Sequence, residues 1–98
     1  MSLVTYSVIW TKTALKQLNQ LDKPIKEAIV KKTHALGAND APLDIKKLVG
    51  FENLYRLRVG DYRIVFRPNH IDKQYTIAEV AHRKDIYRSF SLSNLPRA

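Results

Sequence analysis

Apolar and polar residues alternate from Val4 to Trp10: Val4, Tyr6, Val8 and Trp10 share one side, and Thr5, Ser7 and Ile9 the other. A period of two sends successive side chains to opposite faces of an extended chain, so the stretch is predicted to be a half-buried β-strand. After Thr11 the period lengthens. Ala14, Leu15, Leu18 and Leu21 recur at helical spacing, which gives a short amphipathic helix with Thr11 as its N-cap. Asp22 is placed to cap a second helix with Pro24 in its first turn. Ile25, Ala28, Ile29 and Leu36 form the apolar stripe of that helix, and Gly37 stands where a left-handed C-cap is expected. So short a connection makes the two helices pack as a hairpin. Residues 38–50, ANDAPLDIKKLVG, combine Pro, Gly, Asn and Asp with little periodicity and read as a loop carrying the basic pair Lys46-Lys47.

The clearest pattern is YRLRVGDYRIVFR, residues 55–67, in which four arginines alternate with apolar residues around Gly60-Asp61. Glycine takes the positive φ that a two-residue hairpin turn requires, and such a turn fixes the register. Val59 falls opposite Tyr62, Leu57 opposite Ile64 and Tyr55 opposite Phe66 on a core face. Arg58 meets Arg63 on the other face, with Arg56 facing Val65 and Leu54 facing Arg67. Like charges directly opposite cost up to about 1 kcal/mol. Asp61, at the turn, is the acidic residue between Leu54 and Arg67, so the hairpin itself does little to relieve that repulsion.

Pro68 and Asn69 are expected to end the second strand of this hairpin. KQYTIAEVAHR, residues 73–83, is extended by composition, but its alternation does not select a core face. Ile77, Glu79, Ala81 and Arg83 fall on one side, and Thr76, Ala78, Val80 and His82 on the other. DIYRSF is expected to begin a short C-terminal helix at Asp85, with Ile86 and Phe90 four apart, before a polar tail. The order is an N-terminal strand, a helical hairpin, then antiparallel strands. This is an α+β arrangement with helices on one sheet face, in a single domain spanning residues 1–98.

Composition adds a partner class. Seventeen Lys and Arg against nine Asp and Glu give a formal net charge of +8, which favours an anionic partner such as nucleic acid, an acidic protein segment or a membrane surface. No cysteine is present, so disulfides and thiolate metal sites are excluded, in keeping with a reducing cytoplasm. No apolar run near 20 residues and no signal-peptide core is found, which disfavours membrane spanning and export. His34, His70 and His82 are isolated and no carboxylate cluster has ligand spacing, so neither a metal nor another cofactor is expected.

Arg56, Arg58, Arg63 and Arg67 are predicted on the sheet face that the helices leave open. A guanidinium suits phosphate because its planar fork keeps both charge and donor geometry. Two readings stand for this face: a solvated surface, or a phosphate-binding one. His82, Arg83 and Tyr87, within HRKDIY, lie at a strand end and the following turn, where side chains can converge on a neighbouring groove. Cleavage of RNA by its own 2′-OH needs a proton acceptor, positive charge for the phosphorane and a proton donor for the leaving 5′-oxygen. Histidine is the residue type best matched to proton transfer near neutrality, so His82 is either a proton carrier or structural. Tyr87 either stacks on an RNA base or packs in the core.

The joint pattern of LKQL in the first helix, DIKKLVGFENLYRLRVGDYRIVFR in the centre and EVAHRKDIY near the end resembles the RelE/ParE toxin superfamily over nearly the whole chain. The resemblance implies the toxin of a type II toxin–antitoxin pair, with a helical hairpin on an antiparallel sheet. RelE-type members cleave mRNA on the ribosome without a metal, through 2′-OH attack and a 2′,3′-cyclic phosphate. It implies as partners a cognate antitoxin, mRNA and the ribosome, and operator DNA bound by the toxin–antitoxin complex. By position, Arg63 matches the arginine that stabilises the transition state. Arg83 matches a second arginine, proposed as leaving-group acid or phosphate clamp, and Tyr87 matches the tyrosine that stacks on the base. Arg56 and Arg58 stand where RelE has lysines, one of them proposed as the base. Arginine holds its proton too tightly for that task, so here the pair is expected to clamp charge. Related members use a histidine near the last strand's end as acid, which points to His82. Lys46, Lys47 and Arg67 are further cations expected to meet RNA. Within the superfamily, a ParE-like toxin that poisons DNA gyrase without cutting RNA is the alternative, and a catalytically inert RNA-binding relative a third reading.

Overall fold

A computed structural model describes residues 5–39 and 42–84. The first strand, β1 (Ser7–Trp10), leads into α1 (Lys12–Asn19) and α2 (Lys23–Ala38), and four strands follow: β2 (Ile45–Lys47), β3 (Tyr55–Val59), β4 (Tyr62–Asn69) and β5 (Gln74–His82). They form one sheet in the order β1-β5-β4-β3-β2, antiparallel except that β1 runs parallel to β5. Among the described residues no helix is long and apolar enough to cross a membrane.

The Thr11 hydroxyl accepts from the Ala14 N–H at 3.1 Å, so the expected N-cap of α1 forms. Asp22 occupies the N-cap of α2, but its side chain makes no capping bond. Gly37 is not the C-cap. It lies buried inside α2, and Asn39, at φ 56°, takes the left-handed position instead. Gly37 serves close approach: a Cβ there would lie 2.7 Å from Tyr6 O and 2.8 Å from Val8 Cγ2, and the Gly37 carbonyl accepts from the Tyr6 N–H at 2.8 Å. The helix is thereby pressed against the segment entering β1.

Ala14 and Leu18 of α1 and Ile29 and Leu36 of α2 pack on Leu57, Val59, Ile64, Phe66, Ile77 and Val80, which forms the main core on one sheet face. Each of the larger of these side chains is worth roughly 1.5–3 kcal/mol when removed from water, so this face holds the helices to the sheet. A second, small cluster of Leu48, Leu54 and Val65, flanked by Phe51 and Ala81, covers part of the opposite face.

The segment read as a loop contains β2, whose register Ile45↔Leu57, Lys46↔Arg56 and Lys47↔Tyr55 comes from pairing with β3. Three exposed residues carry no alternation of their own, and their extended state is a product of the ladder. Pro68 does not end β4, which runs on to Asn69. β3 stops at Tyr55, opposite Phe66, so no strand on that side requires an N–H from Pro68, and its carbonyl accepts from Asn53 Nδ2 at 2.9 Å. The ambiguous alternation of β5 has a cause: Glu79 pairs with Val65 and Ile77 with Phe66, leaving Ala78 as the extra residue of a β-bulge. Ile77 and Val80, three apart, therefore both reach the main core. The expected C-terminal helix from Asp85 lies outside the described residues.

Candidate functional site

The hairpin turns at Gly60, with φ 59°, and its pairs are those that the two-residue turn dictates, with Arg58↔Arg63 between Leu57↔Ile64 and Val59↔Tyr62. Leu57, Val59, Ile64 and Phe66 are in the helix-side core, so Arg56, Arg58 and Arg63 project from the other face. Arg83 joins them through the turn: its N–H donates to Asp61 O at 2.7 Å, and its Nε lies 3.5 Å from Asp61 Oδ1. Lys46 shares the arginine face through its pairing with Arg56. Lys47, opposite Tyr55, faces the helix side. Arg67 projects with Arg63 and Val65, but it stands about 13 Å along the strand from Arg63. The apolar patch around Val65 lies between them.

The arginines differ in exposure and partners. Arg58 and Arg83 side chains are 54% exposed, whereas that of Arg56 is only 14% exposed. Arg63 is half-buried and donates from Nη1 to Gly60 O at 2.9 Å and Tyr62 O at 3.1 Å. Burial holds the Arg63 pKa below the ordinary arginine value, reinforced by the positive charges of Arg58, Arg56 and Arg83 and opposed by Asp44. This cationic cluster is therefore close enough for its members to repel one another.

The face is less uniformly positive than the hairpin sequence suggests. Asp44, just before β2, places Oδ1 3.3 Å from Arg56 Nη1 and Oδ2 3.7 Å from Arg58 Nη1. Both this ion pairing and that of Asp61 involve half-exposed or exposed carboxylates. The exposed Asp44–Arg58 and Asp61–Arg83 pairs contribute about 0–1 kcal/mol each, and each contact occupies only part of a guanidinium's five N–H donors, so an incoming phosphodiester can be bound beside the carboxylates.

His82 is not brought to the arginines. It pairs opposite Tyr62 and stacks edge-on against it, ring centroids 5.4 Å apart, while its neighbour Ala81 lies opposite Arg63. Strand alternation sends residues 81 and 82 to opposite faces, so His82 borders the helix side, where its Nδ1 accepts from the Lys84 N–H at 3.2 Å. Tyr87 lies outside the described residues. Among those described, no group of three or more His, Cys, Asp or Glu is arranged to hold a metal ion.

Residues 8–87 match the family model described as ParE toxin of type II toxin–antitoxin system. The chain is also 39% identical over 87 residues to Toxin RelE3 of Methanocaldococcus jannaschii, covering 85% of this chain and 97% of that protein. The chain belongs to the RelE/ParE toxin superfamily. Solved RelE/ParE structures share its fold. The archaeal RelE–RelB complex from Pyrococcus horikoshii matches with a TM-score of 0.69 and 32% identity, covering 81% of this chain and 96% of that one. The toxin–antitoxin complex RelBE2 from Mycobacterium tuberculosis matches with a TM-score of 0.70 and 26% identity, covering 86% and 98%.

Two features of this RelE/ParE toxin had no signature in its sequence. Asp44 reaches the arginines only because Ile45–Lys47 pairs with β3. Gln17 of α1 meets β5 beyond the end of β1, which pairs only as far as Trp10↔Ile77. Its Oε1 accepts from the Val80 N–H at 2.7 Å and its Nε2 donates to buried Glu79 at 3.0 Å, taking the place of a missing neighbouring strand.

Proposed function

We propose that this protein is the toxin of a type II toxin–antitoxin pair and a metal-independent endoribonuclease that cuts mRNA on the ribosome. The single observation that carries the reading is the gathering of Arg58, Arg63 and Arg83 on an open sheet face, Arg58 directly opposite Arg63 and Arg83 tied to Asp61 in the turn that joins their strands. Three cations are held together against their mutual repulsion, which is what a dianionic phosphorane requires and what a merely solvated face does not.

In the proposed reaction the 2′-oxygen forms a bond to phosphorus as the bond to the 5′-oxygen breaks, leaving a 2′,3′-cyclic phosphate. The 2′-OH proton is lost to an acceptor, and the departing 5′-oxygen gains one. Arg63 faces the non-bridging oxygens, Arg83 clamps the phosphate or serves the leaving group, and Arg58 adds charge. Arg56, largely buried, acts behind them. Lys46 extends the cationic track on this face. Lys47 and Arg67 contact RNA only outside the cluster, and His82 faces away from it. Tyr87 would stack on a base. The Pyrococcus and Mycobacterium neighbours are toxin–antitoxin complexes, which supports a cognate antitoxin as partner here. Operator DNA as a target of the toxin–antitoxin complex and action in the cytoplasm are parts of the same proposal.

The deciding experiment maps RNA ends after incubating the full chain with mRNA-programmed ribosomes. Wild type is expected to produce discrete cuts, and Arg63→Ala to lose about 10²–10³ in rate. Undiminished cutting by Arg63→Ala would remove the assignment. The description of the matching family model favours a second reading, a ParE-type toxin that acts on gyrase and leaves RNA intact. No cutting by wild type, together with arrested replication in cells, would select it.

A further inference from the structure

The β2–β3 ladder extends one step past Ile45↔Leu57, because the Arg58 N–H donates to Asp44 O at 2.9 Å. That step sets Asp44 beside Arg58 on the arginine face. One carboxylate then bridges two guanidiniums, with Oδ1 3.3 Å from Arg56 and Oδ2 3.7 Å from Arg58. Arg58 needs such a tether. It stands directly opposite Arg63, its side chain is 54% exposed, and repulsion would otherwise drive its long flexible chain outward into solvent. Resting on the endonuclease reading above, we infer that Asp44 is a positioning residue that holds Arg58, through the shared bridge with Arg56, in the orientation that serves the scissile phosphate.

The role has an unusual energetic signature. Asp44 is itself 48% exposed, so its negative charge opposes the approach of an RNA phosphate. Its removal should improve ground-state binding while it impairs the chemical step. A counter-ion that merely screens the face would impair neither, and a purely architectural residue would lower stability first.

The test compares wild type, Asp44→Asn and Asp44→Glu. Single-turnover cleavage of mRNA on saturating programmed ribosomes is measured, together with binding of an RNA carrying 2′-deoxyribose at the cut site and thermal melting. For Asp44→Asn the saturating cleavage rate should fall by up to about 10²-fold, the scale of a misplaced catalytic group. Affinity for the deoxy-substituted RNA should rise roughly two- to fivefold, as expected for loss of one exposed charge interaction. Asp44→Glu, which keeps the charge, should recover most of the rate. A saturating rate for Asp44→Asn equal to or above wild type overturns the inference, as does a loss that tracks a lowered Tm and is not recovered by Asp44→Glu. Absence of cleavage by wild type overturns the endonuclease reading itself, and the assignment of Asp44 falls with it.

Discussion

Arg63 lies across the hairpin from Arg58, half-buried, with its guanidinium turned onto the carbonyls of Gly60 and Tyr62. Its pKa is lowered in the folded chain, so the fold holds this proton less tightly than the unfolded chain does. The sign follows from linkage: the charge destabilises the fold at every pH below that lowered pKa, and only deprotonation as pH rises through it would bring relief. Throughout the neutral range Arg63 stays charged and the penalty is constant. Arg63→Ala is therefore expected to hold or raise stability, by up to about 1 kcal/mol. For a domain of this size that is a rise in Tm of up to about 4–8 °C, the same at mildly acidic and mildly alkaline pH. Calorimetry showing a clear drop in Tm would mean that the two carbonyl bonds outweigh the repulsion. The arginine alternation was readable because a Gly-Asp turn fixes register within a few residues. The placement of His82 was not, since it depended on a bulge upstream in the same strand.

At the scale of elements, Gly37 decides how closely α2 approaches β1. Alanine would favour the helix by about 1 kcal/mol over glycine. Its Cβ, however, would stand 2.7 Å from the backbone oxygen of Tyr6, a residue whose own N–H is bonded to the Gly37 carbonyl, and backbone cannot swing aside as a side chain could. Overpacking of this kind costs roughly 1–3 kcal/mol, so Gly37→Ala should lose up to about 2 kcal/mol net in urea unfolding. An unchanged or stabilised variant would show that the contact relaxes. The sequence offered this glycine as a C-cap, a local role that Asn39 performs. β2 was missed for a related reason: short edge strands take their conformation from the partner's ladder, and Ile45–Lys47 has no periodicity to announce it.

Over the whole molecule, the formal charge of +8 biases every encounter toward polyanions, and the exposed lysines of α1 and α2 share in it with the arginines of the open sheet face. If the arginine cluster neutralises the scissile phosphate and Lys46 and Arg67 one further phosphate each, log K should fall with log salt at a slope near −2, about −0.7 per contact. Arg67→Ala should make that slope shallower by about 0.7 in titrations of non-cleavable RNA across a series of KCl concentrations. An unaltered slope would place Arg67 outside the RNA contact. Sequence by itself determined the elements with strong period, the helical hairpin, the Arg58↔Arg63 register and the cationic character of one sheet face, because these follow from side-chain spacing and turn chemistry over short distances. The parallel pairing of β1 with β5, the bulge at Ala78, the turn of His82 toward the helix side and the arrival of Asp44 among the arginines were decided by tertiary structure. Each depends on which distant segment completes a ladder or fills a gap, and no local pattern encodes that choice.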